Sequence, residues 1–351
     1  MNADIDLGQA IGFSGKYWVV VHDGKGNILR SSSPGKNKLT VKLFNDLMSG
    51  VNLPSGTPVV GTGNASPTET DNTLAVYTGK CNTVEVVAGS YSYSDMPDSN
   101  GFVYQRQTYV AHYLPGRLGP TGTVNLAEAG IAAAVISSTT GTTPLYSRGL
   151  LVNSSNVPVT VPYDVANEYL DVYWELTWWV KAETSGTVSF DILGVPTDHD
   201  YVVRISNWRK QESTATGNWD MPPTDSNGII LNNLTFRPVP GSIYNNPTST
   251  YACSGPLGPI TGFPVRASGQ FYGSSAPIQP FLQNKQRDWL LKFPPANGNV
   301  PDGIGAFHIG SYAGGDSLRG PTFQVGISPK LVKTAQRSWE LGVRCSMGNY
   351  E

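Results

Sequence analysis

The stretch Asp171-Val-Tyr-Trp-Glu-Leu-Thr-Trp-Trp-Val-Lys181 constrains this chain more than any other. Val172, Trp174, Leu176, Trp178 and Val180 fall on one side of it, and Tyr173, Glu175, Thr177 and Trp179 on the other. Successive side chains of an extended strand point to opposite faces, so this period of two predicts a half-buried β-strand with the valine-led set inward. Trp179 falls on the outward set. A large ring there is a candidate contact for a partner or a glycan.

Shorter strand signals recur at Thr83–Val87, Phe102–Tyr113, Leu145–Val152, Val157–Val161, Thr187–Leu193 and Tyr201–Trp208. Near the N-terminus, Lys16–His22 and Ile28–Arg30 flank Asp23-Gly24-Lys25-Gly26-Asn27, the pattern of a β-hairpin closed by an Asp-Gly turn. Thr40 to Gly50 places Leu43, Phe44, Leu47 and Met48 at helical spacing and ends on glycine, which predicts one short helix. Short strands without intervening helices predict an all-β fold, an antiparallel sandwich of jelly-roll-like kind. Prolines crowd the chain beyond about residue 210. The sequence therefore divides into a β-sandwich over 1–210 and a loop-rich β region over 211–351. The last strand signals (322–346) are expected to return to the N-terminal sheet, because terminal strands need partners.

Composition agrees. The 351 residues include 39 glycines and 26 prolines, and charged residues are 14%, against about 25% in an average globular protein. Long helices carry many charged residues on their wet faces, so this shortage disfavours helical architecture. The formal net charge is −2, with no basic cluster to mark a nucleic-acid or anionic-membrane partner. The opening residues hold Asp4 and Asp6 and lack the basic region of a signal peptide, and no apolar run is long enough to span a bilayer. Cys81, Cys253 and Cys345 are widely spaced and outside any CxxC pattern, as expected of reduced core thiols made in a cytosol.

The search for chemistry is mostly negative. His22, His112, His199 and His308 match no zinc-binding spacing. Asp198-His199-Asp200 is a cluster of metal-ligand types, yet it follows Val195-Pro196-Thr197 and reads as a solvated hairpin turn. Gly61-Thr-Gly-Asn-Ala-Ser66 lacks the lysine and following helix of a phosphate loop and reads as a turn. There is no GxSxG elbow. Asp171 and Glu175 share a strand face with Tyr173, which would suit a sugar-cleaving cleft and equally a solvated face. No catalytic residue, cofactor or metal is expected.

Several segments resemble, in collinear order, a group of structural proteins of tailed bacteriophages. They are the N-terminal hairpin and helix, Val59-Val-Gly-Thr-Gly-Asn-Ala-Ser-Pro-Thr-Glu-Thr-Asp-Asn-Thr-Leu74, Val124-Asn-Leu-Ala-Glu-Ala-Gly130, Leu145-Tyr-Ser-Arg-Gly-Leu-Leu151, Tyr169-Leu-Asp-Val-Tyr-Trp-Glu-Leu176 and Gly186–Arg204. The resemblance covers roughly residues 15–210. Ala127 and Ala129 stand where the group has Thr and Val, and Gly149 where it has Ala. The resemblance implies a non-enzymatic virion protein, tail-associated (collar, fibre or baseplate), made in the host cytoplasm and partnered by copies of itself and other tail proteins. Trp219 and Trp289 join Trp179 as candidate interface or glycan contacts. The alternative is a carbohydrate-binding β-sandwich that recognises a bacterial surface glycan.

Overall fold

The computed structural model describes residues 2–49, 57–80, 84–132, 144–206, 249–258, 272–276, 285–309, 312–313, 317–318 and 322–350, apart from residues 91, 95, 193 and 297. Chain order begins β1 (Asn2–His22), β2 (Ile28–Ser31), β3 (Gly35–Lys36), β4 (Lys38–Leu39), the helix α1 (Val41–Ser49) and β5 (Thr57–Gly61). It continues β6 (Tyr77–Lys80), β7 (Val84–Val86), β8 (Ser92–Tyr93), β9 (Phe102–Tyr113), β10 (Thr123–Leu126), β11 (Glu128–Ala132) and β12 (Leu145–Leu150). Then come β13 (Val161–Asp164), β14 (Tyr169–Lys181), β15 (Glu183–Ile192), β16 (Val195–Ser206), β17 (Ser249–Cys253) and β18 (Tyr272–Ala276). The last are β19 (Gln286–Phe293), β20 (Ile304–Ile309), β21 (Tyr312–Ala313), β22 (Ser317–Leu318), β23 (Thr322–Leu331) and β24 (Trp339–Asn349). The protein is all-β, and α1 is the one helix among the described residues.

Local chemistry explains the elements that position the rest. In β14, Val172 and Val180 are fully buried, Trp174 and Trp178 nearly so, and Leu176 packs partly buried against the same core. The outward set is half-buried, except that Thr177 is buried too. The β1–β2 turn is held by Asp23, whose Oδ1 accepts the Lys25 amide at 2.8 Å and the Asn27 amide at 3.2 Å. Gly24 and Gly26 supply the positive φ angles that this turn requires. Helix α1 starts after Thr40, whose hydroxyl accepts the Leu43 amide at 3.4 Å, and it buries Leu43 and Phe44.

The main sheet runs β15-β16-β23-β20-β17-β18-β19-β24-β1-β14-β9-β7. A second sheet, β4-β12-β11-β5-β6, covers one part of its inner face together with α1. Tyr17 of β1 reaches across to the Ser147 hydroxyl, and Tyr113 of β9 donates to the Pro58 carbonyl at 3.0 Å. Elsewhere the large sheet supplies both walls of its own core, where Trp339 stacks on Phe307 with ring centroids 4.7 Å apart. Phe190 and Phe293 pack against the same indole. Both regions belong to one continuous buried cluster.

One expectation changes. Pairing is not antiparallel throughout: β1 lies between β14, antiparallel, and β24, parallel. A parallel neighbour needs a long crossover, and the whole intervening chain provides it. The stretch read as loop-rich contributes β17 to β20 to the main sheet, with Phe293, Ile304 and Phe307 fully buried. Its prolines and glycines punctuate short strands rather than abolish them. The last strands pair with strands of the N-terminal part, β23 with β16 and β24 with β1.

Candidate functional site: the outer face of β1, β14 and β9

The core-facing side of these strands is apolar, so register alone determines what the other side carries. Tyr169, Asp171, Tyr173 and Glu175 of β14 lie opposite His22, Val20, Trp18 and Lys16 of β1. Across the other edge, Asp171 meets His112, Thr177 meets Arg106 and Trp179 meets Tyr104 of β9. At about 3.3 Å per residue, the span from Tyr169 to Trp179 is roughly 33 Å.

Two kinds of group alternate on this face. Trp18 and Tyr173 stack with centroids 5.2 Å apart and planes 3° from parallel. His22 and Tyr169 stack at 5.3 Å. Between them sits Asp171, which holds His112 Nδ1 at 2.6 Å and His22 Nε2 at 3.5 Å. The Gly24 amide donates to His22 Nδ1 at 3.2 Å, so the imidazole proton sits on Nε2, toward Asp171. His112 Nε2 lies 3.9 Å from Glu85. Glu175 is approached by Arg106 at 3.4 Å and Lys16 at 3.9 Å. Burial and the neighbouring Asp171 carboxylate push the Tyr173 phenol above its ordinary value, so it stays a neutral donor.

The anticipated anchors fare differently. Trp179 is half-buried and already engaged: its indole N–H donates to Ser14 Oγ at 2.9 Å, and Tyr350 stacks on it at 4.3 Å. Tyr350 in turn donates to Asp98 Oδ2 at 2.8 Å and accepts Asn100 Nδ2 at 3.1 Å. This end of the face is closed by Tyr350, and the Trp18 and Tyr173 rings at the other end are half-buried. The backbone of Trp289 lies in β19 opposite Val343, with its side chain outside the described set; Trp219 and Cys81 lie outside the described residues. Sequence reasoning missed Trp18, His22 and His112 as members of one site. The period-two run Lys16, Trp18, Val20, His22 carried the signal, but its register against β14 did not follow from it.

Asp198-His199-Asp200 is corrected. The turn falls at Gly194, with φ at +80°, and the triplet lies inside β16. His199 is buried with Nδ1 2.7 Å from the Pro329 carbonyl, while Asp198 and Asp200 are exposed on the other face. Alternation along a strand separates residues that adjacency in sequence suggested were a cluster.

A second constellation is buried. Arg148 of β12 donates through Nε to Glu128 Oε2, through Nη1 to Asp71 Oδ2 and through Nη2 to the Ala65 carbonyl, each at 2.7 Å. Glu128 of β11 is fully buried and accepts the amides of Gly63, Ala75 and Val76 at 3.0, 3.1 and 2.8 Å. Burial opposes ionisation of Asp71, but the Thr68 hydroxyl and amide and the Arg148 guanidinium outweigh it and hold the carboxyl below its usual range. A Cβ on Gly63 would come within 2.4 Å of Glu128 Oε1, so glycine there is a requirement of the cage. Every charge in it has a partner, which makes it a staple for residues 62–76 rather than a reactive centre.

Among the described residues, no group of three or more His, Cys, Asp or Glu could hold a metal ion, and no helix is long and apolar enough to cross a membrane. Comparison of the chain with protein-family profiles, with curated proteins and with solved structures gives no match in any of the three.

Proposed function

We propose that this chain is a non-enzymatic structural subunit of a tailed-bacteriophage particle, tail-associated and present in several copies. One observation carries the reading. The segments that bear the resemblance, scattered over 59–74, 124–130 and 145–151, converge on the Arg148–Glu128–Asp71 cage. Glu128 comes from one, Arg148 from another, and Gly63, Ala65 and Asp71 from the third. Residue patterns used up in fixing a loop to a sheet serve construction of the fold, and a virion subunit asks for that kind of rigidity. A copy–copy interface in such a particle buries on the order of 1,000 Å² or more.

Quantitative mass spectrometry of purified particles, with immunogold labelling by an antibody against this chain, tests the reading. The expected result is several copies per particle with label confined to the tail. Absence of the chain from purified particles refutes it.

A further inference from the structure

We propose that the cleft between the β15–β16 turn and the β23–β24 connection binds a small anion carrying a carboxylate or phosphate group. The proposal goes beyond the virion reading and does not rest on it, since a particle subunit and a free chain carry the cleft alike.

Register builds the cleft. β16 and β23 run antiparallel with Asp200 opposite Ser328, which carries the turn at Gly194 back over the chain that leaves β23. Asp191 and Gly194 form one wall, and residues 332–338 with Trp339 form the rest. The space between them is about 480 Å³, within the range of roughly 300–1,000 Å³ that holds small organic ligands.

Positive charge without a counter-charge selects the ligand. Lys333 is 7% exposed, and its ammonium donates to Asn299 Oδ1 at 2.9 Å and to the Pro295 and Thr334 carbonyls at 3.1 and 3.5 Å. All three acceptors are neutral. The segment 294–300, which supplies two of them, has no titratable side chain. Burial pulls the ammonium below its ordinary value, as expected of a charge that no carboxylate supports. Arg337 lines the same cleft, exposed, and its guanidinium has no hydrogen bond or ion pair among the described residues. The indole N–H of Trp339 is buried and has no acceptor. Against these groups stands one lining carboxylate, Asp191, whose Oδ1 already accepts the Gly194 amide at 2.6 Å.

A neutral or cationic ligand leaves this surplus of charge and donors unanswered. An anion answers both. The forked guanidinium of Arg337 matches one edge of a carboxylate or phosphate, with the Thr334 and Ser338 hydroxyls beside it. Lys333 acts through its field rather than by contact, because its donors are already engaged. A long polyanion needs a row of cations along its path, and the cleft offers one free guanidinium.

Titration calorimetry of the full chain with inorganic phosphate and with citrate tests the proposal. Millimolar or tighter binding of at least one is expected, and the better binder identifies the anionic group. Arg337→Gln, a change at an exposed position, should weaken binding about tenfold or more. Lys333→Met should weaken it too. Citrate affinity of the parent chain should fall as pH rises from about 8 to about 10, because a bound anion favours the protonated ammonium, and Lys333→Met should remove that dependence. Lys25→Gln, in the exposed β1–β2 turn, should change nothing. Circular dichroism and melting temperature establish that the variants fold. No binding of either probe at millimolar concentration overturns the proposal, as does binding that Arg337→Gln leaves unchanged or that Lys25→Gln weakens equally.

Discussion

Replacing Glu128 by alanine should unfold the cage that holds residues 62–76. The carboxylate is fully buried and receives four donors: Arg148 Nε and the amides of Gly63, Ala75 and Val76. Leaving one partner of a buried ion pair uncompensated costs about 3–5 kcal/mol, and each stranded buried amide about 1–3 kcal/mol when no water reaches it. These losses overlap, and Asp71 still neutralises part of the Arg148 charge, so about 4 kcal/mol is expected in total. At about 2–4 °C per kcal/mol, the melting temperature should fall by roughly 8–16 °C. Arg148→Met should cost less, because Glu128 keeps its three amides, and a double-mutant cycle between the two should show a coupling of about 0.5–3 kcal/mol. Denaturant titration gives the free energies, and amide hydrogen exchange at Gly63, Ala75 and Val76 reports the cage itself. If Glu128→Ala stays within about 1 kcal/mol of the parent and those three amides remain protected, the account of the cage is wrong.

Asp71→Asn should flatten the acid limb of the stability curve. The folded carboxyl lies below its unfolded value near about 3.9, so its stabilisation is complete at higher pH and is lost as pH falls through the folded value; denaturation followed from pH 5 down to about 2 checks this. Lys333 is buried, and burial pulls its ammonium below the ordinary value, so the unfolded chain binds more protons in the alkaline window and stability rises with pH there. Lys333→Met should abolish that rise while changing stability at neutral pH by less than about 1.5 kcal/mol, and a persisting slope in the variant would count against the assignment. Gly149→Ala should cost about 1–3 kcal/mol through overpacking, since a Cβ there meets the Tyr17 ring at 2.9 Å; an unchanged melting temperature would show that the ring has room to move.

What could be read from sequence and what could not separates along a physical line. The strand that holds Asp171–Lys181 is legible because alternation and side-chain size are local properties, and the Asp23–Asn27 turn because its hydrogen bonds are made within five residues. The first half of β1 was not legible. Gly12 and Gly15 weaken its strand signal, yet they serve close approach: a Cβ on Gly12 would meet Tyr350 at 2.9 Å and one on Gly15 would meet Asn37 at 2.7 Å. Those partners lie far away in sequence. The aspartate neighbours of His199 are turn formers and predict a turn, whereas the Pro329 carbonyl and the Phe190 ring, both distant in sequence, hold it buried. The candidate site was half legible for the same reason. Tyr173, Asp171 and Glu175 stood together in one strand, while Trp18 and His112 reach them only through register.

Two small residues of the second sheet bear on how Tyr17 packs. Gly149 and Ala129 are both small and look unrelated in sequence. In the second sheet they are direct cross-strand partners, so their side chains share one face. Tyr17, fully buried and with its phenol pushed above the ordinary value by that burial, lies against Gly149 and reaches the Ser147 hydroxyl. Gly149 leaves the room that the Tyr17 ring takes, since a Cβ there would meet it at 2.9 Å. On this reasoning, the same strand that presents Trp18 outward is anchored by Tyr17 inward.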